Sequence, residues 1–418
     1  MAGQVAQTNK KSEIWTKTRR LHIRELFKGK YIIYGLSIVV ARGAELAILF
    51  FSAYYLSKPD YGELEYYKKI IEVGSVFIGF GLPAFLMTYT RSDKSKFYFY
   101  YISLLFIITL SFIIAPVFYA FKSLFLLIPM IFYSIYFTGG LTQIYFLVTK
   151  GSNFASIYKI IISILFYSSV LIAILWFDAG GKAFVWPSYV LIIPMLLWSV
   201  FEARKKISMA FFRKYFGLFK KLIGSAFTLV VNNFSNMMFL YTDIFVIRLL
   251  SQIPKFEIAD YSFALNISNT MLLIPLTLVQ SDIENLKKSN KELYTLNKKI
   301  LILISLFSTI IIPVYYFIIP RLFKGYEQTF ILFLILLSAK FFQSLSTLFG
   351  TFLSTKRKYS LNMKINIGIL IFHIFISIAA YHFGGILGLA AASAFSLGLR
   401  LYILKIKSKN IVLFERTK

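Results

Sequence analysis

Residues 31–56 read YIIYGLSIVVARGAELAILFFSAYYL. A helix needs about 20 apolar residues to cross the hydrocarbon core, and this run is long enough. Arg42 and Glu45 nevertheless lie near its middle. A charge at membrane depth costs about 2.5–3.5 kcal/mol on insertion scales. Spaced three apart, the two share a helix face and can pair. Such a pair faces an aqueous cavity or a neighbouring helix, not lipid. An ion pair that only locks helix packing is the plainer alternative.

The same ruler carried outward gives about twelve spans, near 31–56, 69–90, 97–120, 124–148, 154–176, 184–202, 222–249, 259–280, 300–320, 329–353, 363–382 and 387–404. Composition agrees: of 418 residues 58% are hydrophobic and 15% charged, whereas a soluble domain is about 45–50% apolar and 25% charged. The net charge of +28 falls in short runs between the spans, so it forms no continuous face for nucleic acid. With no cysteine, disulfides, thiol catalysis and zinc–cysteine sites are excluded. The expectation is an all-α polytopic membrane protein without a cleaved signal peptide.

Lysine and arginine set the expected orientation. With the N-terminus inside, about 32 basic residues fall on cytoplasmic segments and about 8 on the opposite loops. Trp176 and Trp186 flank an outer loop, as interfacial anchors do. The segment EARKKISMAFFRKYFGLFKK, Glu202–Lys221, interleaves cations with Phe211, Phe212, Phe216 and Phe219; it suits either the headgroup layer or an ordinary basic loop. It divides the chain into a cytoplasmic N-terminus (1–30), a six-helix lobe (31–202), a basic amphipathic linker (203–221), a second lobe (222–404) and a cytoplasmic tail (405–418). The halves echo each other: Leu56-Ser57 precedes Asp60-Tyr61, and Leu250-Ser251 precedes Asp260-Tyr261. Six spans per half make this a parallel repeat, an arrangement suited to alternating access.

Span seven carries Asn232, Asn233 and Asn236 as a polar stripe, then Asp243 and Arg248. Span ten carries Lys340 with Gln343, and span five carries Lys159. Lys159, Arg248 and Arg400 lie close enough to span ends to reach the interface by snorkelling. Glu72 reads as interfacial, and His373 as a packing hydrogen bond. There is no G-x-x-x-x-G-K-[ST] loop to hydrolyse ATP, no G-x-S-x-G elbow and no H-E-x-x-H pair. The residues favour a transporter over an enzyme. Arg42, Lys340, Arg248 and Lys159 suit anionic groups in a low-dielectric cavity. Asn232, Asn233, Asn236 and Gln343 are the neutral polar groups at that depth, and Glu45 and Asp243 the carboxylates.

The stretch Tyr54–Arg91, YYLSKPDYGELEYYKKIIEVGSVFIGFGLPAFLMTYTR, resembles polysaccharide flippases of the multidrug/oligosaccharidyl-lipid/polysaccharide (MOP) superfamily. The resemblance rests on Asp60-Tyr61-Gly62 after the first span, Gly81-Leu82 in the second, and Arg91 closing it. Asp243 in TDIFVIRLLS and Tyr261 in ADYSFALNIS match the seventh and eighth spans; Ser262 stands where Gly62 stands in the first half. Wzx-type O-antigen or capsule flippases are most similar. The resemblance implies two six-helix lobes of MOP/MATE type around a cationic lumen that includes Arg91. It further implies movement of an undecaprenyl-pyrophosphate-linked oligosaccharide to the periplasmic leaflet of the bacterial inner membrane, without metal or cofactor and with H+ or Na+ as possible coupling ion. Membrane lipids, a polysaccharide polymerase and a chain-length regulator are the partners it implies. A drug/cation antiporter of the same fold is the rival and favours acidic lumen residues.

Overall fold

A computed structural model describes residues 29–88, 90, 92–204, 208–281, 286, 290–356 and 358–416. Every expected span falls on a helix or on a broken pair of helices. The first half comprises α1 (Gly29–Tyr55), α2 (Lys58–Gly79), α3 (Leu82–Thr88), α4 (Asp93–Ala120), α5 (Leu127–Ile135), α6 (Leu141–Lys150), α7 (Ser152–Leu175) and α8 (Trp186–Arg204). The second comprises α9 (Met209–Leu250), α10 (Pro254–Asn269), α11 (Leu273–Ser281), α12 (Asn290–Leu322), α13 (Phe330–Thr355) and α14 (Tyr359–Arg416). Among the described residues, seven helical stretches are long and apolar enough to cross a membrane by length and composition alone.

Local chemistry sets several boundaries. The Ser57 hydroxyl accepts the Asp60 amide, and Pro59 occupies the first turn of α2; both are helix-start signals. The helix therefore begins at Lys58, about three turns before the expected 69. It ends where Phe80 turns to a positive φ of 47°, so the expected span 69–90 is two helices. In α14, Gly385 takes φ 54° and ψ −142°, and a Cβ on Gly388 would strike the Ala380 carbonyl. The chain doubles back there into an antiparallel hairpin, as the Arg400–Asn366 and His373–Ser396 hydrogen bonds across its arms require.

The expected linker and span seven are one helix from residue 209 on. At about 1.5 Å per residue, α9 is some 60 Å long, about twice the hydrocarbon thickness. Its first turns dock on α4, with Tyr215 stacked on Tyr98 at 5.3 Å and Phe219 at 5.5 Å from Phe99 and Phe106.

Most buried apolar side chains sort into one core running from Ile48 to Phe219 and another dominated by residues 244–404, with a smaller third cluster of Phe239, Ala339, Ile369, Leu370 and Leu397. Within the lobes α1 lies on α7, α2 on α5, and α13 against both arms of α14; between them α2 packs along α10. Large apolar side chains stand exposed on the outside: Phe112 and Ile113 of α4, Val190 and Leu197 of α8, Ile310 and Phe317 of α12. Such a belt is what lipid-facing helices carry, their backbone groups being satisfied within the helix.

Candidate functional site

The interface between the lobes is built on α2 and α10, the two helices that open with Asp-Tyr. They approach so closely that a Cβ on Gly62 would collide with the Lys255 carbonyl; only glycine fits. Around this contact Lys58 pairs with Asp260 at 2.7 Å and Lys255 with Glu63 at 2.6 Å. Arg248 lies over the Tyr66 ring at 4.9 Å. Tyr61 is buried in the second-lobe core, edge-on to Phe263 and Tyr326. One turn deeper, Lys69 bonds Glu65 at 3.1 Å and Asn266 at 3.1 Å, while Asn266 donates to Glu65 at 2.9 Å. This closed triangle satisfies two buried charges across the lobes. Among the described residues, both ion pairs that join the lobes lie at this end.

Deeper along α1 the polar groups open. Glu45 stands between Arg42 at 2.7 Å and Lys68 at 3.3 Å. Lys68 is buried, but the Arg42 side chain is 52% exposed, and nothing lies within 4 Å of a Cβ on Gly43 beside it. An exposed guanidinium in mid-span is costly against lipid, which would strip its hydration without replacement. Lys159 of α7 is half-buried and within electrostatic reach of Arg42. α1 and α2 thus bring two cations onto one carboxylate, and α7 places a third cation beside Arg42.

The second lobe holds a different cluster. The Asp243 carboxylate of α9 receives hydroxyls from Tyr261 and Ser393 and lies 3.3 Å from His373 Nε2. Lys340 is buried and donates to Gln343 at 3.0 Å, within electrostatic reach of Asp243. Arg400 is also buried. Its guanidinium donates to Asn366 at 3.0 Å and Asn236 at 3.1 Å and lies over Phe239.

The expected site residues therefore separate. Arg42, Glu45 and Lys159 come together in the first lobe; Asp243, Lys340 and Gln343 come together in the second, where Asn236 instead holds Arg400. Arg248 stands with the inter-lobe contact instead of either cluster. Asn233 is exposed on α9; the Asn232 side chain and Arg91 lie outside the described residues. Arg400 does not snorkel: two asparagines from two helices hold it inside the lobe. His373 does make a packing hydrogen bond, but with a buried carboxylate as its partner. Glu65 and Lys68 fall outside the expected span two and Lys69 is its first residue, although Ser57-Lys58-Pro59-Asp60 carries a helix-start signal.

No family model and no curated protein matches the chain. Solved structures do. An inward-facing multidrug resistance MATE family transporter of the MOP superfamily overlays with a TM-score of 0.60 at 11% identity, over 91% of this chain and 96% of that one. A MOP superfamily transporter from Pyrococcus furiosus overlays at 0.47 with 12% identity, over 92% and 96%. A MATE transporter from Vibrio cholerae overlays at 0.45 with 12% identity, over 95% and 94%. The chain is a multi-pass helical membrane protein with the fold seen in MATE transporters.

Proposed function

We propose that the protein is a transporter working by alternating access, and that its substrate is an anionic lipid-linked oligosaccharide of the undecaprenyl-pyrophosphate class, for O-antigen or capsule. One observation carries the reading: charge at membrane depth is cationic in surplus. Among the described residues Arg42, Lys68, Lys159, Lys340 and Arg400 stand there against Glu45, Asp243 and Glu72, which lies one turn beyond Lys68 on α2 and so deeper than the interfacial place expected of it, with Lys69 and Glu65 cancelling. In a low-dielectric cavity such cations attract a pyrophosphate far more than they would in water. Arg42 binds the phosphates at the open wall of the lumen, Lys159 and Lys68 support it, and Asn233 meets the sugar. The lipid tail stays in the bilayer along the gap between lobes.

In this reading the protein sits in a bacterial inner membrane with both termini cytoplasmic. The α2–α10 contact is then the closed periplasmic side, and H+ or Na+ drives the cycle. Polymerase and chain-length regulator receive the product. Arg42→Ala should abolish surface glycan at normal protein level. Deletion of the gene should leave single lipid-linked repeat units on the cytoplasmic leaflet, read by radiolabel extraction.

The likeness to a multidrug transporter favours a second reading, a MATE-like drug/cation antiporter. That activity wants a carboxylate free to meet a cation, whereas Glu45 is already held between Arg42 and Lys68. Normal lipid-linked pools with new sensitivity to cationic drugs on deletion would replace the first reading with the second.

A further inference from the structure

We propose that the exposed face of the first four turns of α9 seats the phosphate headgroup of an anionic phospholipid, in the leaflet from which α4 and α9 both start. The inference goes beyond the transport reading and does not depend on the substrate.

The segment is MAFFRKYFGLFKKLIG, residues 209–224, with four cations and no acid. At 3.6 residues per turn, Phe212, Tyr215, Phe219, Leu222 and Ile223 fall on one side, and these side chains pack into the first core. Arg213, Lys214, Lys220 and Lys221 fall on the opposite side, within an arc of about 120°. All four are exposed. Gly217 and Gly224 lie at the centre of that arc, and nothing stands within 4 Å of a Cβ on either. Met209 and Phe216 border the arc along one side, Phe211 and Leu218 along the other, all of them exposed. The face is a strip of cations with open backbone at its middle and apolar rims on both sides. Among the described residues no ion pair engages the four cations, and the N-terminal end of a helix adds partial positive charge of its own.

Contacts with α4 fix the depth. The Ser208 amide donates to the Tyr98 hydroxyl at 2.9 Å, Tyr215 stacks on the Tyr98 ring, and Lys94 lies over Phe211 at 5.1 Å. Tyr98 belongs to the second turn of α4, whose start holds Asp93, Lys94 and Lys96. The basic turns of α9 therefore run level with the polar start of a helix apolar enough to span, where headgroups give way to hydrocarbon. Lys94 adds a cation to that end, while Asp93 is taken by Lys96 at 3.1 Å.

A soluble anion satisfies the cations and leaves the rims in water. A phospholipid satisfies both: its phosphate meets the cations where Gly217 lets it come close to the backbone, and its acyl chains lie along Phe216 and Leu218. Juxtamembrane cations draw anionic lipid in this way, each weighing on the order of fivefold in association.

The chain has no cysteine, so Leu218→Cys carries a single bimane fluorophore on the rim of the full-length protein, reconstituted in phosphatidylcholine vesicles. Quenching is compared for phosphatidylglycerol and phosphatidylcholine bearing the same acyl-chain nitroxide. Phosphatidylglycerol should associate about fivefold more strongly, and the preference should fall toward unity in about 1 M salt, where charges are screened within about 3 Å. It should vanish when Arg213→Gln, Lys214→Gln, Lys220→Gln and Lys221→Gln are combined. It should persist in Lys405→Gln with Lys407→Gln, which takes charge from the end of α14 instead. Gly217→Leu keeps all four cations on a better helix former and should lose most of the preference by filling the seat. Equal quenching by the two lipids, or a preference that survives the fourfold variant, high salt or Gly217→Leu, overturns the proposal. So does quenching by aqueous iodide with none by either lipid, which places the face against solvent.

Discussion

The two Asp-Tyr openings, Asp60-Tyr61-Gly62 and Asp260-Tyr261-Ser262, look alike in sequence and do opposite work. Asp60 acts locally, bonded to Ser57 at the start of α2; Asp260 acts at a distance, on Lys58 of the other lobe. Tyr61 leaves its own lobe and buries itself in the second core, whereas Tyr261 stays home and holds Asp243. Gly62 lets two backbones touch; Ser262 is buried with a hydroxyl that has no partner. A repeat supplies two equivalent helices, but only one can insert into the other's lobe where they meet. The asymmetry is what one face of a parallel repeat pays for meeting the other.

The largest effect expected along that face comes from its deepest charges. Glu65→Ala leaves Lys69 buried with Asn266 alone, and removing one partner of a buried pair costs about 3–5 kcal/mol. Thermal unfolding in detergent should drop accordingly, while Glu63→Ala, whose pair is half-exposed, should cost less than about 1 kcal/mol. Equal effects would mean that depth does not separate the two pairs. Next comes the glycine. Gly62→Ala drives a methyl into the Lys255 carbonyl, and overpacking of that kind costs about 1–3 kcal/mol. Ser262→Ala should be neutral or mildly stabilising, since it removes an unsatisfied hydroxyl; a loss as large as that of Gly62→Ala would show that the halves are more symmetric than their contacts.

What the sequence carried of this was uneven, for physical reasons. Apolar runs announce lipid, so the spans of α4, α7 and α8 were legible to within a few residues, whereas α12 begins at Asn290, ten residues before the expected 300. α2 was not: Glu63 and Glu65 look like loop residues because their partners across the lobes, Lys255 and Asn266, lie 192 and 201 positions away. Arg42 and Glu45 were legible because three-residue spacing pairs them inside one helix. Arg400 was misjudged for the opposite reason, since Asn236 and Asn366 come from helices that only the hairpin at Gly385 brings alongside. Asp243 was recognised as costly, but the ring of hydroxyls around it, from Tyr261, Ser377 and Ser393, is a product of packing.

Tyr261→Phe sharpens the comparison within the second half. It removes one donor from a buried carboxylate and keeps the ring, so the loss expected is about 1–3 kcal/mol, read as a lowered melting temperature. His373 and Ser393 stay in place and hold the loss toward the lower figure. A melting temperature unchanged within error would mean that Tyr261 is only a packing residue, as its counterpart Tyr61 is on the ring contacts.

The smallest stability effect belongs to the pair that joins the halves at their surface. Lys58→Ala removes the partner of Asp260 and also its bond to the Gly325 carbonyl. Half-exposed pairs contribute about 0–1 kcal/mol, so melting should hardly move. The balance between closed and open lobes is itself only a few kcal/mol, and there the same substitution weighs heavily. Spin labels at Tyr54→Cys and Leu249→Cys should report a longer mean distance in Lys58→Ala at unchanged stability, with the same lengthening for unaltered protein in high salt as screening grows. A shortened or constant distance would relocate the closure of the lobes from these ion pairs to the aromatic contact of Tyr61 with Phe263 and Tyr326.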